Sequence, residues 1–350
     1  MNTSECHNTS SIVTNVDKLL TSAFMFFAGV VGNLLALFIL GVHRKEHRSR
    51  SSVFCVLVTG LALTDLLGTC LLSPPVFTCY ALDKSLISLG GDALCNVFGA
   101  AVIFFALAPT LILCAMALER CLAISHPYFY SVHIRRNLAK VTLFFIYIFS
   151  LAFCLLPYSG YGQFRQYCPG TWCFVKMEAG RDGLVLAFSL SYSSLMALLI
   201  FIVFVCNGSV IVSLCQMRRS HLNRRGSVVS VARKKRFNLA WFGRGEEEMD
   251  HLVLLALITV IFVVCSLPLT IAGFINAIDP FPEGDEKNLF AFRFYSLNAI
   301  MDPWVFIICR KSVFRHLCSL LSCRFGKGAM KTTTHCALSL PLDNSIARNP

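Results

Sequence analysis

NLFAFRFYSLNAIMDPW, from Asn288 to Trp304, decides how the chain is read. From Leu289 the apolar character continues to Ile308, and a helix of about 20 such residues crosses the ~30 Å hydrocarbon core of a bilayer. Arg293 interrupts the run. An arginine in hydrocarbon costs roughly 2.5–3.5 kcal/mol on insertion scales, so it needs a partner or a route to water. Asp302 is not that partner. Nine residues separate the two, which is ~13 Å of helical rise and an offset to the opposite face. Two readings remain. Arg293 snorkels outward to Asp285 and Glu286 of the preceding loop, or to lipid headgroups. Alternatively its partner comes from outside the chain, as a ligand carboxylate matched to the guanidinium fork.

Six more runs of spanning length precede it: Leu19–Val42, Val53–Ala81, Ala93–Ile124, Leu138–Tyr158, Leu184–Leu214 and Leu252–Ile278. The chain is 56% hydrophobic and 14% charged, against about a quarter charged in soluble domains. The expected fold is therefore an all-α membrane protein, a seven-transmembrane helix bundle. Residues 1–18 form an outer N-terminus, 19–311 the bundle, and 312–350 a cytoplasmic helix and tail. The first eighteen residues are polar, and span one is too long for a signal h-region, so it reads as a retained anchor.

Lys and Arg set the orientation. Arg44, Lys45, Arg48 and Arg50 lie in the first connection, and Arg135, Arg136 and Lys140 in the third. The fifth holds nine basic residues between Arg218 and Arg244. These connections and the C-terminal tail are cytoplasmic, which leaves the N-terminus outside. The formal charge of +12 is thus a topology signal. No basic soluble domain or aromatic platform accompanies it, so nucleic acid is not an expected partner. The sequons at Asn2 and Asn8 fall outside, where glycosylation occurs. A third, at Asn207, lies inside span five and is expected to be a buried polar side chain. Most of the seventeen cysteines lie in spans and act as small hydrophobes. Cys6, Cys95, Cys168 and Cys173 face the oxidising side. Cys318 and Cys323 follow the last span, in a juxtamembrane segment where a cysteine is either palmitoylated or left as an unmodified thiol.

Polar residues inside the spans carry the functional signal. Asn33 is in span one, Asp65 in span two, and Asn298 and Asp302 share a face of span seven. Together they suggest a polar cluster at the bundle core, either a hydrogen-bonded plug or a hydrated activation switch. Adjacent Glu119 and Arg120 sit at the inner end of span three, as an interfacial ion pair or as a lock that opens for a partner. Between spans four and five, GQFRQYCPGTWCF carries two cysteines, a Pro-Gly pair and an aromatic residue. It is a tight turn with a buried Trp172, or a lid holding Thr171 and Trp172 in the mouth of the bundle.

These residues fall in the order of a known family. The chain resembles the rhodopsin-like G-protein-coupled receptors over almost its whole length. The carrying motifs are Gly32–Asn33, LALTD at Leu61–Asp65, LER at Leu118–Arg120, CSLP at Cys265–Pro268 and DPWVF at Asp302–Phe306. Within that family it resembles the prostanoid branch, through QYCPGTWCF at Gln166–Phe174 and an arginine nine residues before Asp302. The stretches TDLLGTCLLSP, AMALER, HPYFY and VCSLPLT are most similar to the prostaglandin E receptor of subtype two, with the prostaglandin D receptor next.

The resemblance implies roles. Arg293 binds a prostaglandin carboxylate, Thr171 and Tyr80 help hold it, and Trp172 packs over the ligand. Met25, Leu289 and Ser296 line the remaining pocket. Cys95 and Cys173 form a disulfide, and Cys168 is expected to be dispensable by comparison, with Cys6 its only extramembrane candidate partner. Glu119 and Arg120 serve coupling to a stimulatory heterotrimeric G protein that raises cyclic AMP. Asp65, Asn298, Asp302 and Pro268 form the activation switch. A short amphipathic cytoplasmic helix follows the last span. The expected location is the plasma membrane. Ser227, in RRGSV at Arg224–Val228, has the spacing of a basophilic kinase site, which adds kinases and arrestin as partners. The chain departs from the wider family at Cys121, where a tyrosine is usual, and at Ser266, where a tryptophan is usual. Asp302 and Phe306 replace the usual Asn and Tyr.

Rival classes lack their marks. No internal repeat suggests a transporter. Neither H-E-x-x-H nor G-x-S-x-G suggests an enzyme. His43 and His47 have metal-ligand spacing but lie in a strongly basic stretch, so no metal or other cofactor is expected.

Overall fold

The computed structural model describes residues 16–46, 53–134, 136–177, 182–225, 256–278 and 285–309. Cys6, the sequons at Asn2 and Asn8, Ser227, Cys318, Cys323 and the expected cytoplasmic helix lie outside the described residues.

The helices are α1 (Val16–Glu46), α2 (Val53–Leu82), α3 (Leu86–Ser125), α4 (Pro127–His133), α5 (Arg136–Leu155), α6 (Gly183–Arg225), α7 (Ala256–Ile278) and α8 (Asp285–Cys309). Among the described residues, all but α4 and α8 are long and apolar enough to cross a membrane. Helix α8 has 25 residues, ~38 Å at 1.5 Å per residue, which also suffices. Its polar content, Arg293 and Asp302 included, is what lowers its hydropathy. Asp285 and Glu286, expected in a loop, are the first residues of α8. An acidic start suits the positive end of the helix dipole.

Helix α3 is the axis of the bundle. Its most apolar stretch is 67% buried, against 28% for α1 and 22% for the α5 span, so those two give most of their surface to lipid. Phe24, Phe27, Phe144 and Phe145 are exposed accordingly. Helix α3 breaks just ahead of Ala93, where the apolar run of span three starts. Gly91 has φ 66°, a left-handed conformation that costs other residues, and only Leu86–Gly90 lie ahead of the break.

Polar side chains tie the helices where no water is present. Asn33 Nδ2 donates to the carbonyls of Gly29 and Ala299, both at 3.0 Å, joining α1 to α8. Thr64 and Tyr147 share a 2.9 Å bond between α2 and α5. Asn207, 3% exposed, donates to Thr259 Oγ1 at 2.7 Å. Its sequon is therefore the buried polar side chain expected.

Gly32 lets α1 approach α8 closely. A Cβ there would lie 2.8 Å from Trp304 Nε1 and 3.1 Å from Pro303 Cγ. Trp304 is held by its own bond from Nε1 to the Ala28 carbonyl at 3.2 Å. Gly32→Val should destabilise the bundle by about 1–3 kcal/mol through overpacking, read as a lower melting temperature in detergent.

Candidate functional site

The connection between α5 and α6 folds as an antiparallel hairpin, β1 (Phe164–Tyr167) with β2 (Trp172–Val175). Its register pairs Gln166 with Cys173 and Tyr167 with Trp172. Gly170, at φ 95°, makes the turn, and its N–H donates to the Tyr167 carbonyl at 2.8 Å.

Three attachments hold this hairpin over the bundle. Cys173 is disulfide-bonded to Cys95, with 5.4 Å between their Cα atoms. The Gly170 carbonyl accepts from Leu86 N at 2.8 Å. Gln166 Oε1 accepts from Ile87 N at 2.8 Å. The last two satisfy backbone donors that the start of α3 would otherwise leave unpaired. Cys168 is disulfide-bonded as well, to a residue outside the described set.

Trp172 is 1% exposed. Its indole stacks between Tyr167, at 4.9 Å between centroids, and Phe292 of α8, at 4.6 Å. Nε1 donates to the Cys168 carbonyl at 3.1 Å. Tyr167 is anchored in turn, donating to the Val175 carbonyl at 2.7 Å. The two readings of PGTW thus coexist: it is a tight turn with a buried tryptophan, and it roofs a cavity.

That cavity measures about 200 Å³. Met25, Tyr80, Thr171, Trp172, Leu289, Arg293 and Ser296 all line it. They come from α1, α2, the hairpin and α8. Leu289 and Arg293 stand one turn apart on α8, and Ser296 continues the stripe. Apart from these, the walls include Phe26, Leu72, Val76, Phe98, Val102 and Phe262. Among the described side chains, which do not include those of Asp285 and Glu286, no carboxylate pairs with Arg293, and the ion pair that is found joins Arg120 to Glu119.

Asp65, Asn298 and Asp302 border the same cavity. The half-turn offset expected between Asp302 and Arg293 does not put them on separate surfaces, because the cavity runs down the bundle beside α8. The ~13 Å of rise between them keeps them apart. Asn298 Nδ2 donates to Ser266 Oγ at 3.0 Å, so the serine in place of the usual tryptophan joins α7 to α8. Pro268 lies two residues further along α7.

The family description "7 transmembrane receptor (rhodopsin family)" matches residues 32–306. The chain belongs to that family. Within the rhodopsin family it groups with prostanoid receptors. The rat (Rattus norvegicus) prostacyclin receptor is 49% identical over 344 residues, 98% of this chain and 78% of that protein. The human (Homo sapiens) prostacyclin receptor is 51% identical over 314 residues, 89% and 78% of the two chains. The human prostaglandin E2 receptor EP2 subtype is 44% identical over 334 residues, 90% and 89%. The expectation that subtype two of the E receptors resembles the chain most is therefore corrected: prostacyclin receptors are more similar. The fold matches squid rhodopsin with a TM-score of 0.71 at 15% identity, covering 91% of this chain and 88% of that one. The protein is a multi-pass membrane receptor, not an enzyme.

At the end of α3 remote from the hairpin, Arg120 Nε lies 2.7 Å from Glu119 Oε2, and its guanidinium sits 4.3 Å from the centre of the Phe54 ring. Tyr130, from α4, donates to Glu119 Oε1. Burial, followed by the bond to Glu119 and its charge, pushes the Tyr130 phenol up to about 12. The phenol therefore stays a donor across physiological pH. This third member of the Glu119–Arg120 group was missed in the sequence. The aromatic residues of HPYFY, directly after the proline that starts α4, were the available signal.

Phe292, Thr110 and Tyr295 also line the cavity and were missed. Phe292 and Tyr295 lie within two residues of Arg293 on α8, yet an aromatic in an apolar span carries no local mark of its role.

Proposed function

We propose that this receptor binds a prostanoid acid and signals through a heterotrimeric G protein, with Arg293 taking the ligand carboxylate. One observation supports this above the others. A half-buried arginine lines a mostly apolar cavity beneath the Trp172 roof, and no acid whose side chain is described neutralises it. A lipid acid has an apolar body and one charge, and this cavity is complementary to such a molecule. In this reading Thr171 and Tyr80 assist Arg293, Trp172 closes the site, and Met25, Leu289 and Ser296 contact the body.

Similarity to prostacyclin receptors at about 50% moves the ligand to test first from prostaglandin E to a prostacyclin-type prostanoid. Prostaglandins E and D are second, because receptors for them are also relatives, at 42–44%. Coupling to the stimulatory G protein through the Glu119–Arg120 end, an outer N-terminus and a plasma-membrane location complete the reading. The test is cyclic AMP in cells expressing the full chain, across stable prostacyclin analogues and prostaglandins E, D and F. A response to prostacyclin analogues at the lowest concentration supports the reading. Silence to every prostanoid, with surface expression verified, overturns it.

A further inference from the structure

Tyr295 of α8 and Thr110 of α3 both line the cavity, with their hydroxyl oxygens 2.9 Å apart. Both address one carbonyl. Thr110 Oγ1 donates to Ala106 O at 2.9 Å, and Tyr295 Oη donates to the same oxygen at 2.7 Å. Each hydroxyl has one hydrogen and two lone pairs. Two hydrogens therefore serve three short contacts. Either both go to the carbonyl, or one goes to the carbonyl and the other between the hydroxyls. In each of these arrangements both hydrogens stay inside the triangle, and turning one outward leaves two short contacts without a hydrogen. What the pair offers the cavity is acceptor capacity alone.

We infer that Thr110 and Tyr295 form a subsite that reads a hydroxyl group on the body of the ligand, accepting its hydrogen bond and disfavouring a ketone there. The inference rests on the functional reading above and goes beyond it by assigning a residue pair to selectivity among prostanoids. A hydroxyl donor gains a partner at this point. A methylene gains none but meets no repulsion. A ketone oxygen brings only lone pairs toward lone pairs. It can be accommodated only by drawing a hydrogen out of the triangle, which leaves a short polar contact unsupported. Sites built to pair with a particular polar group discriminate for this reason. The expected order is hydroxyl, then methylene, then ketone.

The test uses membranes from cells expressing the full chain. The probe is a hydrolysis-stable prostacyclin analogue with a ring hydroxyl and a side-chain hydroxyl, compared with its single deoxy and single keto derivatives. At one of the two positions, the wild type should lose roughly three- to tenfold in affinity for the deoxy compound, and more for the ketone. Tyr295→Phe keeps the ring and removes the hydroxyl, and Thr110→Val keeps the shape. Together they should shrink both penalties at that position to less than about twofold, leaving the loss caused by methyl-esterifying the carboxylate unchanged. Penalties that are equal in wild type and variants at both positions overturn the subsite. Equal wild-type affinity for hydroxyl and ketone at both positions overturns it without any variant. A wild type that binds none of the analogues, although it reaches the surface, refutes the functional reading itself.

Discussion

Arg293→Ala lowers prostanoid affinity by roughly 30- to several-thousandfold, while the receptor still reaches the cell surface. Losing one partner of a desolvated charge pair costs on the order of 2–5 kcal/mol, and every 1.4 kcal/mol is about tenfold. The rest of the site is not expected to move. Alanine is a strong helix former, and Phe292 keeps its stack on Trp172. Among the acids whose side chains are described, none pairs with Arg293 to be left stranded. Arg293→Lys should also weaken binding, because a point charge cannot make the two parallel bonds of the guanidinium fork. Methyl esters of the ligand separate loss of the charge pair from general damage. Esterification should weaken binding to the wild type and have little further effect on Arg293→Ala. Radioligand competition measures both. Unchanged affinity in Arg293→Ala would return the arginine to the role of a snorkelling cation.

What the sequence disclosed were local anomalies. A charge inside an apolar run, as at Arg293 and Asp65, or a Pro-Gly pair between two cysteines, as at Cys168–Cys173, stands out against its neighbours. The spans were legible because hydrocarbon demands about 20 apolar residues at a time. Residues whose role depends on distant partners were not legible. Thr110 and Tyr295 lie 185 residues apart, and each reads alone as an ordinary helix residue. Tyr130 reaches Glu119 only because the chain turns at His126–Pro127 into α4. The break at Gly91 depends on backbone dihedrals, and the apolar start at Ala93 only hinted at it. The relation to prostacyclin receptors was missed for a different reason. The short motifs used to choose a subtype are few residues long, whereas 49–51% identity over most of the chain weighs every position.

Cys173→Ser abolishes specific ligand binding and lowers the melting temperature of the purified receptor. The bond it removes joins residues 78 apart, and the chain-entropy account assigns a closed loop of that size roughly 4–5 kcal/mol. Apart from the separate disulfide of Cys168, what remains is weaker. The bonds from Leu86 N to Gly170 O and from Ile87 N to Gln166 Oε1 each contribute about 0.5–1.5 kcal/mol net. Cys173 pairs with Gln166 in the hairpin, and Trp172 pairs with Tyr167 next to it. Releasing Cys173 therefore loosens the strand that presses the indole onto Phe292, and Thr171 moves with it. Cys95→Ser should match Cys173→Ser, and the double variant should be no worse than either, because all three delete the same bond. Additive losses would mean that each sulfur acts separately. Non-reducing peptide mapping provides the direct check: a Cys95–Cys173 pair is expected. A Cys95–Cys168 peptide would contradict the prediction, because bridging at Cys168 ties down the strand ahead of the turn and leaves Thr171 and Trp172 free to swing off the cavity.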